Sequence, residues 1–178
     1  MQSAGNNALV ERMIGAARLD VHTYEAVERD ESATTSALIV VVLAAIAGGI
    51  GSIGEDGFGG LIGGVIGSVV GWAVFAAVAF FVGTRILAGS QTSATIGQVL
   101  RTMGFAYTPL LLSFFGFIPI LGGLIGLIGA FWFLATATVG LRQALDVSTG
   151  RAIGVALVSV IPAAIIAGII LAIFGIGR

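Results

Sequence analysis

Lysine and cysteine are both absent from this chain, and histidine occurs once. Without lysine there is no P-loop amine and no Schiff-base nucleophile. Without cysteine there are no disulfides, no thiol catalysis and no thiolate metal site. His22 has no ligand set beside it, so it reads as a structural or solvated residue. Charge is scarce as well: 10% of the residues are charged, where a soluble domain carries about 25%. A net charge of −1 gives no basic patch, so no nucleic-acid partner is expected. No triad, metal site or carboxylate pair can be assembled from what remains. The expectation is a non-enzymatic chain with no cofactor.

What is abundant is uncharged, apolar sequence. Hydrophobic residues make up 57% of the chain, and the mean hydropathy is +1.10. Every charged residue lies outside four runs, Ser32 to Gly54, Gly57 to Thr84, Thr102 to Leu141 and Ala152 to Gly177. A bilayer core of about 30 Å takes roughly 20 helical residues, and a charge at its centre costs about 2.5 to 3.5 kcal/mol. Three runs suit one crossing each. The third, 40 residues long, would make a rod of about 60 Å as one helix, so it is expected to fold back as two crossings.

The fold class is therefore all-α, a polytopic integral membrane bundle of five transmembrane helices behind an N-terminal amphipathic segment. The expected division is residues 1–35 as cytoplasmic segment and 36–178 as membrane domain. The spans fall near 37–53, 60–83, 102–117, 120–141 and 152–176. No cleavable signal peptide is expected, because a long charged stretch precedes the first apolar run. With the N-terminus in the cytoplasm, seven arginines fall inside and only Arg178 outside, which satisfies the positive-inside rule. A re-entrant third run would leave four spans and move Arg142 and Arg151 outside, so it is rejected. The chain is assigned to the inner or plasma membrane with its C-terminus outside.

From Ala8 onward Val10, Ile14, Ala17, Val21, Tyr24 and Val27 recur at helical spacing, with Asp20 placed to cap a second short helix. This segment reads as lying on the membrane surface or on the bundle's cytoplasmic end. Alternatively it docks a soluble partner, with Tyr24, Glu25 and Glu28 as the candidate docking residues.

Small residues mark where helices can approach closely. Gly63, Gly67 and Gly71 form one stripe in the second span, and Gly122, Gly126 and Gly129 another in the fourth. An intramolecular partner is the first expectation for the former and self-association the second. Trp72, near mid-span, reads as a packing residue. GSIGEDGFGG, with no Lys-Ser/Thr pair, reads as a hairpin turn rather than a phosphate cradle. RQALDVSTGR reads as an inner loop, and Pro162 as a kink in the last span. Between spans two and three, TIGQVL is expected to begin a helix. The hydroxyls at depth, Ser68, Tyr107, Ser113, Thr136, Thr138 and Ser159, are expected to bond back to their own helices. Pro109 frees the Phe105 carbonyl, which the Tyr107 hydroxyl is placed to cap; the rival reading anchors Tyr107 at the headgroups.

The stretch from Arg101 to Ala152 resembles the Yip family, the Ypt/Rab-interacting membrane proteins, and in particular their bacterial relatives. The resemblance is carried by Gly104, Tyr107 and Pro109 in GFAYTP, the turn at Pro119, the glycine-aromatic fourth span and GLRQALDVSTGRA. ARLDVHTYEAVERDESAT extends it to most of the chain. The resemblance implies five spans, a cytosolic N-terminus and no enzymatic activity. Eukaryotic members bind Rab-type GTPases, associate with one another and act in endoplasmic reticulum and Golgi trafficking. This chain lacks their Asp-Leu-Tyr-Gly-Pro motif and has a short cytoplasmic segment, which makes GTPase binding doubtful. The lack of lysine, with abundant Ala, Gly and Val, points to a GC-rich prokaryote.

The expected function is membrane organisation or scaffolding by helix packing, with the lipid bilayer and other membrane proteins, or a second copy, as partners. An accessory subunit of a larger membrane complex is the alternative, and a small lipid or solute conduit the second.

Overall fold

The computed structural model describes residues 2–118 and 120–174, with side chains outside 2–7 and 53–59. Among these residues every regular element is helical: α1 (Gln2–Ala17), α2 (Val21–Arg29), α3 (Ala33–Gly51), α4 (Ile53–Phe81), α5 (Ile96–Ala106), α6 (Leu121–Leu145) and α7 (Thr149–Ile173). A π turn, Val82–Ile86, continues α4, and a 3-10 segment, Thr108–Phe117, follows α5. Four helical stretches are long and apolar enough to cross a membrane: Ala33–Gly51, Gly60–Ile86, Leu121–Leu145 and Thr149–Ile173.

The third expected span takes a different form. Pro109 has no N–H and cannot continue the α5 ladder, so α5 stops at Ala106 and the chain tightens into 3-10 geometry through Phe117. Ten residues is long for a 3-10 helix, which rarely exceeds three or four. Neither piece alone has the length of a transmembrane α-helix.

Two expected loops are largely helix. GSIGEDGFGG is not a hairpin turn: only Ser52 separates α3 from α4, and residues 53–59 form the first turns of α4. The inner loop RQALDVSTGR shrinks to residues 146–148, because α6 runs on to Leu145 and α7 begins at Thr149. Asp146 closes α6 in the left-handed region (φ 50°), while the Ser148 side chain caps α7. α7 continues through Pro162. Pro119 and residues 175–178 lie outside the described residues, and with them the outer turn and the end of the fifth span.

Two ends of the bundle are distinguishable. At the charged end, Gln98 Nε2 donates to Glu28 (2.7 Å), Arg151 Nη1 to the Ala88 carbonyl (2.9 Å) and Gln143 Nε2 to Glu25 (3.4 Å). At the other end three glycines meet: a Cβ on Gly116 would lie 3.3 Å from the Gly51 carbonyl, and one on Gly122 would strike the Gly116 carbonyl. α5 begins at the first end, and the 3-10 segment finishes at the second. α3 packs on both α4 and the 3-10 segment, α6 on α5 and the 3-10 segment, and α7 on α4 and α6.

The N-terminal segment packs on the bundle through α5 and α6. Its inward face differs from the expected one in α1. Leu9, Met13 and Ala16 meet the core, whereas Val10 and Ile14 are about half exposed. The expected stripe carried one register across both short helices. Leu19, at φ 63°, breaks it and resets the register before α2, where Tyr24 and Val27 are buried as expected.

Candidate functional site

Three features stand out from the bundle: the clamp on α2, the break at Pro109, and a cleft opening beside that break.

The clamp begins with a capping box. The Thr95 side chain accepts from the Gln98 N–H while Gln98 Oε1 accepts from the Thr95 N–H, satisfying two orphan donors at the start of α5. The box holds Gln98 and Arg101 toward α2. Arg101, only 6% exposed, donates from Nε to the carbonyls of Val27 and Glu28, and from Nη2 to Glu28 again. These are orphan carbonyls at the C-terminal end of α2, where a cation also complements the helix dipole. Farther out, Arg12 pairs with Asp30 at 2.6 Å, and Arg29 with Glu25 at 3.3 Å.

Electrostatics at this end follow from burial and partners. Burial raises the Glu28 pKa, with a further push from Asp146; Arg29, Gln98 and Arg101 offset part of it. The Ser32 hydroxyl and Arg12 hold the Asp30 carboxyl below the usual carboxylate range. Asp20, accepting from Thr23, is also lowered.

This placement bears on the three candidate docking residues. Tyr24 is fully buried. Its hydroxyl donates to the Ala16 carbonyl (3.4 Å), and its ring lies against Gly140. Tyr24 thus meets the bundle rather than an outside partner. Glu25 and Glu28 accept from Gln143 and Gln98.

The break exposes two carbonyls. Pro109 can supply a donor neither to Phe105, four residues back, nor to Ala106, three back, and Leu110 N–H is taken by Tyr107 (2.9 Å). Two threonine hydroxyls fill the gap. Thr108 Oγ1 donates to Phe105 (2.7 Å), and Thr136 Oγ1, from α6, lies 2.8 Å from the Ala106 carbonyl. Tyr107 therefore does not cap Phe105. Its ring packs edge-on against Phe133 (5.1 Å) and lines the cleft.

Of the expected motif, Gly104 is the tightest position. A Cβ there would lie 2.5 Å from Ala37 Cβ and 3.0 Å from its Cα, so α3 and α5 touch through backbone. Apart from Gly122, which closes on the Gly116 carbonyl, the predicted stripes are looser. Gly67 would meet only Leu171, at 3.8 Å, and Gly71, Gly64 and Gly126 have nothing within 4 Å. Gly129 would lie 3.7 Å from the Pro109 carbonyl, and Gly63 is half-buried. Trp72 packs as expected, donating Nε1 to the Leu100 carbonyl (3.0 Å).

The cleft lies between α3, α4 and the 3-10 segment and has a volume of about 380 Å³. Gly48, Ser52 and Ser113 are shared with a second cavity of about 570 Å³ at the glycine end. Among the described residues no charged side chain lines either.

Sequence reasoning missed Arg101 and Gln98, and it placed Thr136 on its own helix, where it does bond the Trp132 and Phe133 carbonyls, without the contact to Ala106. The Thr95-x-x-Gln98 spacing was a readable capping signal; nothing in the sequence pairs Thr136 with Ala106. The Yip1 domain matches residues 21–173, from α2 to the end of α7. No curated protein and no solved structure matches the chain. With helices apolar enough to cross a membrane and a family match over most of its length, the chain is a membrane protein that belongs to the Yip1 domain family.

Proposed function

We propose that this protein works without catalysis, by packing against other membrane components from a five-passage bundle. The observation that carries the reading is the unfilled glycine surface of α4. Among the described residues no side chain closes Gly71, and Gly67 meets only the tip of Leu171. A backbone surface left open in this way lets a helix from another chain approach closely, which is how helices associate where lipid removes the hydrophobic driving force. The charged end supports the same conclusion, since Arg12, Arg29, Arg101 and Arg151 are engaged within the chain.

The five-passage topology is supported by length. Beyond Arg101, which stays at the charged end, α5 contributes residues 102–106 at about 1.5 Å each and the 3-10 segment 10 residues at about 2.0 Å each. Together they reach about 28 Å, close to a hydrocarbon core of about 30 Å. The arginine-rich end is then cytoplasmic, with the N-terminus, and the C-terminus lies outside.

Gly67→Leu and Gly71→Leu test the packing role. Each has room within the chain, so the isolated protein should melt as the wild type does. Both should lose the partner that co-purifies with the wild type in mild detergent. Unchanged co-purification with both variants would contradict the reading.

A further inference from the structure

We propose that the cleft between α3, α4 and the 3-10 segment binds an uncharged, membrane-dissolved molecule through carbonyl oxygens. Two membrane compounds offer that chemistry, the ester group of a glycerolipid and the ring of a quinone. This inference is independent of the glycine surface used above.

Hydroxyls in this bundle are mostly satisfied by helix carbonyls. Thr84, Thr102, Thr108, Thr136 and Thr138 all bond helix carbonyls. Ser68 and Tyr107 do neither this nor anything else among the described residues, and both line the same cleft. Ser159 Oγ is the one fully buried side-chain polar atom without a partner among the described residues, whereas the Ser68 and Tyr107 hydroxyls are reachable from the cleft. In a membrane-embedded cleft such hydroxyls lack water as well as a protein acceptor, so two that open into one cavity offer their protons to whatever enters it.

The walls narrow the ligand's chemistry. Ser113 has committed its proton to the Leu110 carbonyl (2.5 Å), so among the described residues the free donors are the hydroxyls of Tyr107 and Ser68, with that of Ser52 at the rim shared with the second cavity. A ligand must therefore bring acceptors. Among the described residues no charged side chain lines the cleft, so an anionic group would find no cation there to pair with, which disfavours carboxylate and phosphate as the group bound. Ala44, Ala45, Gly60 and Gly64 supply walls with little side chain, and a Cβ on Gly64 meets nothing within 4 Å. The volume of about 380 Å³, joined to the cavity of about 570 Å³, falls in the range of small-ligand sites, about 300–1,000 Å³. The Tyr107 ring is held by Phe133, which fixes the donor before binding.

The test uses the full-length protein, delipidated in mild detergent and titrated by native mass spectrometry. One arm compares a diester phosphatidylglycerol with its diether analogue, which keeps the headgroup and loses the carbonyls. A second arm uses decylubiquinone against decylbenzene. The inference predicts preference for the carbonyl-bearing compound in at least one arm, and the responsive arm identifies the source. Tyr107→Phe and Ser68→Ala should each weaken that binding about five-fold, the worth of one hydrogen bond, with melting unchanged. Gly64→Leu should abolish binding by filling the cleft; should it fail to fold, the two hydroxyl variants decide. No carbonyl preference in either arm, or a preference unaltered in both hydroxyl variants, overturns the inference.

Discussion

The Thr136 hydroxyl on α6 reaches the carbonyl of Ala106, the last residue of α5, at 2.8 Å. The same hydroxyl lies 2.9 Å from the Phe133 carbonyl and 3.2 Å from that of Trp132. Its one proton can serve its own helix, as buried threonines usually do, or the neighbouring one. The neighbour has the greater need, because Pro109 leaves Ala106 without a backbone donor. One side chain thus ties α6 to the point where the third apolar run changes geometry.

Thr136→Val keeps the shape and removes the donor. It should destabilise the bundle by about 1–3 kcal/mol, the cost of leaving a buried acceptor unpaired. Thr138→Val is the control, since that hydroxyl bonds only Leu134 of its own helix from an exposed face; it should shift stability by less than about 0.5 kcal/mol. Unfolding in mixed micelles measures both.

Gly104→Ala should destabilise by about 1–3 kcal/mol, because the added methyl meets α3 backbone and overpacks a closed contact. Ala37→Gly in the same background should recover part of the loss by removing the nearest atom. A double-mutant cycle on melting temperature reads the coupling.

The acid residues of the α2 end predict opposite pH dependences. Asp30 has a lowered pKa in the fold, so its contribution is present above the usual carboxylate range and lost as pH falls through the folded value. Glu28 has a raised pKa. The fold holds its proton more tightly than the unfolded chain does, so stability falls as pH climbs from the usual carboxylate range through the raised value. Asp30→Asn should flatten the acid limb of the stability profile. Glu28→Gln should remove the decline on the other side and raise stability at neutral pH while retaining an acceptor for Gln98. Chemical unfolding across pH measures both.

The runs of apolar sequence made the membrane character and the long helices legible, because a bilayer imposes a length that hydropathy reports directly. GFAYTP also marked its break, since proline's missing N–H acts locally. Which hydroxyl repairs the break was not legible. Thr136 is 30 residues from Ala106 in sequence, and only the packing of α6 on α5 brings them together. The glycine stripes illustrate the same limit: spacing shows that one face of a helix is bare, not what covers it. Gly104, isolated in sequence, closes on Ala37, whereas Gly67 and Gly71 in a regular stripe stay open. In α1 the left-handed Leu19 moved the buried face by one residue, and nothing in its side chain announces that conformation. Arg101 escaped notice as a clamp because its partners are backbone carbonyls of another helix, which no residue pattern records.

The central claim is that α5 and the 3-10 segment together cross the membrane. The absence of cysteine makes single-cysteine labelling clean. Ser93→Cys lies before α5, Ile120→Cys after the 3-10 segment at a position 95% exposed, and Ser148→Cys between α6 and α7. In intact cells and inverted vesicles, an impermeant maleimide should reach residue 120 from the outer side only, and residues 93 and 148 from the cytoplasmic side only. Labelling of residues 93 and 120 from the same side would contradict the five-passage account.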